Sequence, residues 1–132
     1  IDVVDVDVEV KIISGKHAFN IVGLADKAVG ESKERVTAAI ASMGLALPFE
    51  RISVNLSPAD IAKEGNHFDL AIALGLLIEM GIIEQDLVDP YYCIGELSLD
   101  AAINKVNAAK KGIDQGRVLL QRSKALSIML IQ

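Results

Sequence analysis

Six residues between Asp60 and Asp69 hold most of the chemistry that this chain could perform: Asp60, Lys63, Glu64, Gly65, His67 and Asp69, within the run DIAKEGNHFD. They stand just before an apolar stretch, Phe68 to Met80, that reads as a helix. The first turn of a helix leaves backbone N–H groups without intrahelical acceptors, and such groups hold anions. Phosphate is one candidate for that place. Glu64 and Asp69 argue for another outcome, because they bring negative charge to the same donors and can satisfy them without a ligand. His67 is a base or metal ligand by type, and a capping or packing histidine by position.

Other self-sufficient chemistries find no support. The sequence has no G-x-x-x-x-G-K-[ST] phosphate loop and no G-x-S-x-G nucleophile elbow. Cys93, His17 and His67 lack the spacing of a zinc site. Asp5, Asp7 and Glu9 share one face of an alternating strand, but same-face neighbours lie nearly 7 Å apart along it. They read as a solubilising face rather than a metal cluster.

Charge points to one further candidate surface. Residues 1–104 hold 7 Lys+Arg against 17 Asp+Glu, whereas residues 105–132 hold 6 against 1. The basic set, Lys105, Lys110, Lys111, Arg117, Arg122 and Lys124, could meet nucleic acid or an acidic partner, or simply be the solvated face of terminal elements. The net charge of −5 belongs to a chain of 132 residues, one domain's worth. A lone cysteine excludes an internal disulfide and suits a reducing cytosol. No basic run precedes an apolar block at the amino terminus, so no signal peptide is read. The expected location is cytoplasmic, with no membrane contact, since the Phe68–Met80 run is far shorter than the roughly 20 residues a span needs.

The positioning elements can be read from periodicity. Val4, Val6, Val8, Val10 and Ile12 alternate with charged residues, which predicts a strand. Ser14-Gly15-Lys16 predicts a turn and Ala18 to Val22 the second strand of a hairpin. Asp26 is the expected N-cap of a helix over Lys27 to Met43, stopped by Gly44. Glu31 and Arg35 form an i,i+4 pair on that helix, and its charged stretch KAVGESKER reads as water-facing. Ile52, Val54 and Leu56 predict a strand ended by Ser57-Pro58, and the next helix, apolar almost all round, should be buried. Tyr91 to Leu97 and Ala102 to Val106 predict an antiparallel pair. The end of a short helix is expected at Lys110-Lys111-Gly112, a strand at Arg117 to Gln121 and a helix at Ser123 to Leu130.

Three long motifs, FNIVGLADKAVGESKERVTAAI, RISVNLSPADIAKEGNHFDLAIALGLL and IGELSLD, resemble the amino-terminal domain of the Mg chelatase-like ComM/YifB family of bacterial AAA+ proteins. The resemblance covers residues 1–106 within a single domain of 1–132, with 107–132 a divergent or shortened tail. It implies an α+β fold: two layers, a mixed and mostly antiparallel sheet with helices packed on one side. That is the fold of the Lon protease domain and of the second domain of a small-subunit ribosomal protein. The chain departs from the family pattern at Ala25, Ala71 and Lys105, where proline is usual, and at Ala101, where glycine is usual. A family G-V-L-P helix before residues 108–130 is missing.

The Lon resemblance also bears on peptidase chemistry. A Ser-Lys peptidase needs a hydroxyl activated by a nearby lysine. The matching position is His67, or Asn66 with a one-residue slip, and neither is an alcohol. The implied reading is a non-catalytic assembly or DNA- or partner-binding domain. The resemblance implies that its parent is an AAA+ ATPase, a ComM-type DNA branch-migration helicase of natural transformation. The alternative is a divergent Lon-type peptidase or a phosphate-binding enzyme using the 64–69 loop. No cofactor is expected in this chain; ATP and Mg are implied only for a motor domain outside it. Expected partners are that AAA+ domain, further copies of the parent in a hexamer, and DNA. Despite the family name, no residue pattern speaks for magnesium insertion into a porphyrin.

Overall fold

The computed structural model describes residues 6–58, 65–89, 92–93, 95–104, 118–120 and 129–131. Alternation places β1 at Asp7–Ile13, β2 at Ala18–Val22 and β3 at Arg51–Ser57, with α1 at Asp26–Ser42 between the last two. A second helix, α2 at Asp69–Glu79, follows a 3-10 turn over Gly65–Phe68. The expected β1–β2 hairpin does not form. The sheet order is β1-β3-β2, with β3 antiparallel to β1 and parallel to β2. β3 enters between the two strands, and α1 is the crossover that parallel pairing of β2 and β3 requires.

The register explains why this arrangement is preferred. Val10, Val54 and Ile21 lie in one cross-strand row, and Ile12, Ile52 and Phe19 in the next. All six point to the same face. On β3 the inward residues Ile52, Val54 and Leu56 are fully buried, while Arg51 and Asn55 are exposed. Burying each such aliphatic side chain contributes about 1.5–3 kcal/mol. Val36, Ala39 and Ile40 of α1 and Leu70, Ile72, Ala73, Leu74 and Leu76 of α2 join the same core. Both helices therefore cover one face of the mixed sheet, a small α+β domain as expected.

α2 approaches β1 closely at Gly75. A β-carbon there would stand 2.5 Å from Val10 Cγ2 and 3.2 Å from Val10 Cβ. Gly75→Ala gains about 1 kcal/mol of helix propensity, but overpacking against a stiff β-branched neighbour costs about 1–3 kcal/mol. The expected result is a net loss in urea denaturation, reduced when Val10→Ala is added, because the two changes share one space.

Helix ends show two departures from expectation. Asp26 is the first residue of α1 rather than its cap; Ala25 occupies the cap position in extended conformation, with no side-chain cap bond. Asp26 acts instead through its charge near the helix N-terminus. Gly44 does stop the helix at φ +78°, with its N–H donated to Ala41 O. Ala25 has φ −65°, the angle to which a proline ring is locked. Ala25→Pro should raise stability by about 0.4–1 kcal/mol by restricting the unfolded chain, read as a higher denaturation midpoint.

Beyond α2 the strands are short: β4 at Tyr92–Cys93, β5 at Glu96–Leu97, β6 at Ile103–Asn104, β7 at Val118–Leu120 and β8 at Met129–Ile131. The single strand expected over Tyr91 to Leu97 is divided. β4 pairs with β7, while β5 pairs antiparallel with β6. Between them Gly95 spends its N–H on His67 O and its carbonyl on Leu70 N, so it is not available to a ladder. The helix expected over Ser123 to Leu130 is corrected at its end, where Met129–Ile131 is strand paired with Val118–Leu120. The helix end at Lys110-Lys111-Gly112 lies outside the described residues. Ala101 sits at φ +70° in the β5–β6 turn and is buried; the family glycine would adopt that angle without the strain an L side chain meets.

Candidate functional site

The polar residues brought together by the fold surround Asp69, which has no solvent exposure. Ser32 Oγ donates to Asp69 Oδ1 at 2.7 Å and Arg35 Nη2 to the same oxygen at 3.2 Å. Arg35 Nε donates to Oδ2, which also accepts the Leu97 backbone N–H at 3.1 Å. Both carboxylate oxygens are thus satisfied, as a buried charge requires. Three elements meet at this one side chain: α1 through Ser32 and Arg35, α2 through Asp69, and β5 through Leu97.

Helical geometry makes the meeting possible. Ser32 lies on the apolar stripe of α1 with Val36, Ala39 and Ile40, at spacings of four, seven and eight residues. Arg35 sits at the edge of that stripe, its side chain 19% exposed, and reaches Glu31 Oε2 at 3.7 Å on its outer side. The i,i+4 pair read from the sequence is present, but the water-facing reading of KAVGESKER fails at Ser32 and Arg35. Asp69 is no cap either: Phe68 is the residue before α2, and no side-chain cap bond is made. Leu70 N–H, at the head of α2, is donated to Gly95 O at 3.1 Å.

Electrostatics at the site are those of a tight pair in a dry setting. Burial pushes the Asp69 carboxyl above its ordinary range, opposed by its bonds from Arg35, Ser32 and Leu97 N–H. The hydrogen bond to Asp69 raises the Arg35 guanidinium further, against the lowering effect of burial. General acid–base work needs a group within reach of a substrate, and Asp69 has neither exposure nor a vacant oxygen. The arrangement is suited to joining elements.

Of the residues singled out from the sequence, the structure places His67 and Asp69 fully and Gly65 by its backbone. The His67 ring stands 6.4 Å from that of Phe68, and its carbonyl accepts the Gly95 N–H. Asp60, Lys63 and Glu64 lie outside the described residues, as do Lys105, Lys110, Lys111, Arg117, Arg122 and Lys124. Among the described residues no three His, Cys, Asp or Glu gather as metal ligands, and no helix is long and apolar enough to cross a membrane. Sequence reasoning missed Ser32 and the Leu97 amide. Ser32 was legible as a polar residue on an apolar helical stripe; a backbone donor leaves no such mark.

The residues of this joint come from three separate stretches, ESKERV, HFDL and GEL, and all three fall inside one family match. Residues 8–117 match the family described as subunit ChlI of Mg-chelatase. The chain belongs to this ChlI family. It is 36% identical over 119 residues to the uncharacterized protein YifB of Escherichia coli K12, covering 87% of this chain and 24% of that protein. It is 35% identical over 119 residues to the competence protein ComM of Haemophilus influenzae, covering 90% of this chain and 23% of ComM. The uncharacterized protein Rv2897c of Mycobacterium tuberculosis H37Rv is 36% identical over 101 residues, 76% of this chain and 20% of that protein. This ChlI domain therefore spans about a quarter or less of the relatives it matches.

Cys93 is the one nucleophilic thiol of the ChlI domain, and burial pushes it up to about 11. At pH 8 it holds roughly a hundredth of the thiolate of an unperturbed cysteine. Alkylation by iodoacetamide should be about two orders of magnitude slower in the folded chain than in urea, and should accelerate as pH rises toward 11. Equal rates folded and unfolded would contradict the half-buried placement of the thiol.

Proposed function

We propose that this chain is a non-catalytic assembly and partner-binding domain of a Mg-chelatase-like AAA+ ATPase that works in the cytoplasm. The motor, with its ATP and Mg, lies outside the 132 residues, and the parent is a ComM-type DNA branch-migration helicase. The observation that carries the reading is the Asp69 joint. Ser32, Arg35 and Asp69, which stand in the family motifs, bind one another in the interior, so these three hold the domain together rather than face a substrate. The competence protein ComM among the relatives, and their fourfold greater length, favour a module of a larger machine.

Calorimetric titration of the chain with the remaining portion of a ComM relative tests this directly. Binding without hydrolysis of ATP or of an unfolded protein by the chain alone is expected. Hydrolysis by the chain alone, abolished by His67→Ala, would replace this reading with the divergent peptidase or phosphate-binding enzyme of the 64–69 loop. Fluorescence anisotropy with branched DNA tests the basic segment. Salt-sensitive binding lost on changing Lys110, Lys111, Arg117 and Arg122 to alanine would place a DNA contact there, with Lys105 and Lys124 as its flanks.

A further inference from the structure

The two edges of the main sheet differ in what they present. In the order β1-β3-β2, the outer strands among the described residues are β1 and β2. β1 carries Asp7, Glu9 and Lys11, charges of the kind that discourage a further strand from pairing. β2, with the sequence AFNIV, has neither a charge nor a proline. The core beneath it is not fully closed. Phe19 and Ile21 keep 8% and 7% of their surface exposed, whereas Ile52, Val54 and Leu56 on the central strand keep no more than 1%. Val22, on the other face of β2, is 61% exposed.

α1 runs beside this edge and leaves room along it. Lys33 Nζ lies 5.8 Å from the centroid of the Phe19 ring, which fixes the flank of α1 that faces β2. Gly30, Thr37 and Ala41 share that flank by helical spacing, at three residues before Lys33 and at four and eight after it. All three are exposed, and a β-carbon at Gly30 would meet nothing within 4 Å. Lys33, Thr37 and Ala41, with Glu34 and Ala38 on the outer lip, line a shallow depression. A strand edge and a helix flank of small residues thus bound one groove.

We infer that this groove takes an extended segment of a partner polypeptide, which pairs with β2 as a further strand of the sheet. The chemistry of the groove states what fits. The edge of β2 offers backbone N–H and C=O groups in the series that another extended main chain matches. Alternate side chains of the added strand turn toward α1. There the room beside Gly30, Thr37 and Ala41 receives branched apolar side chains, and the Lys33 ammonium between them receives a carboxylate. Side chains of the other parity lie beside Asn20 and Val22, on the face away from α1. The inference rests on the partner-binding reading above and gives it a surface and a class of ligand.

Amide NMR of the chain tests this with a synthetic peptide of about seven residues, a common strand length, in which threonine alternates with valine, glutamate and valine. Titration should shift the amides of Ala18–Val22 and of Thr37 and Ala41, with a Kd of about 10 µM to 1 mM. It should also slow hydrogen exchange at those β2 amides that point away from β3. Thr37→Arg with Ala41→Arg fills the groove from exposed helix positions and should weaken binding about tenfold or more, with the amide spectrum showing that the fold is kept. Lys33→Glu should weaken binding of this peptide about threefold or more and favour one with lysine in place of glutamate. An absence of shifts at β2, shifts that survive the two arginines, or equal binding of both peptides by the wild-type chain would overturn the inference. So would protection of the β2 amides that rises with chain concentration and without peptide, which would place a second copy at that edge. Calorimetry against the motor portion tests the partner-binding reading separately, and its failure would not remove a peptide bound at β2.

Discussion

Arg35→Ala should lower the unfolding free energy by about 3–5 kcal/mol, the usual cost of stranding a buried charge. The substitution leaves Asp69 fully buried with only Ser32 Oγ and Leu97 N–H as donors. Against a domain stability of about 5–15 kcal/mol, the loss is large enough to read directly from the urea midpoint at unchanged slope. Replacing the three side chains together, Arg35→Met and Asp69→Leu with Ser32→Ala, should cost less than Arg35→Met alone. No charge and no hydroxyl is then stranded, and the remaining polar penalty is the orphaned Leu97 N–H, about 1–3 kcal/mol. The pH dependence has a definite sign. The folded Asp69 carboxyl already lies above its unfolded value because of burial, and loss of the guanidinium raises it further. A raised folded pKa means that the folded chain takes up the proton first. The associated stability is present below the unfolded carboxylate range and is lost as pH rises through the folded pKa. The deficit of Arg35→Ala relative to the parent chain should therefore be largest at neutral pH and shrink on acidification. A deficit that grows toward acid would show that Asp69 is not the group left stranded.

The sequence made the layer structure readable because burial has a period. Val10 and Ile12 on β1, Ile52, Val54 and Leu56 on β3, and the α1 stripe all announced their inward faces by spacing alone. What spacing does not carry is which strands are neighbours. The alternation of β1 and β2 is equally consistent with a hairpin and with insertion of β3 between them, and that choice is made by α1 as a crossover. The divided strand at 92–97 is a similar case. Nothing in the side chains of that stretch records that the Gly95 backbone is committed to His67 and Leu70. At the site, Asp69 was singled out for its type and position, but its partners lie 34 and 37 residues away in sequence. Arg35 was paired with Glu31, its helical neighbour, because only local partners are visible in a sequence. The buried partner was found by the packing of α1 on α2.

Gly23→Ala should be as damaging as any change in the core, although it adds a single methyl group. Gly23 ends β2 at φ +109°, in a region that L side chains rarely adopt. A β-carbon there would also lie 2.6 Å from Leu56 O and 2.9 Å from Leu56 Cβ. The first obstacle is backbone, held in the centre of the sheet where Leu56 is paired with Val8, so no flexible side-chain end can swing aside. Backbone strain costs about 1–3 kcal/mol and overpacking about 1–3 kcal/mol, giving an expected loss of about 2–6 kcal/mol in urea denaturation. Gly44 supplies the control, because it too has positive φ, +78°, but a β-carbon there would meet nothing within 4 Å. Gly44→Ala should therefore show the conformational cost alone, about 1–2 kcal/mol. The difference between the two variants isolates the contact with Leu56, the point where the chain leaves β2 over the end of β3 and sets α1 across the sheet. Equal losses would mean that this approach is looser than the geometry shows, and that the crossover is held by α1 packing rather than by its first turn.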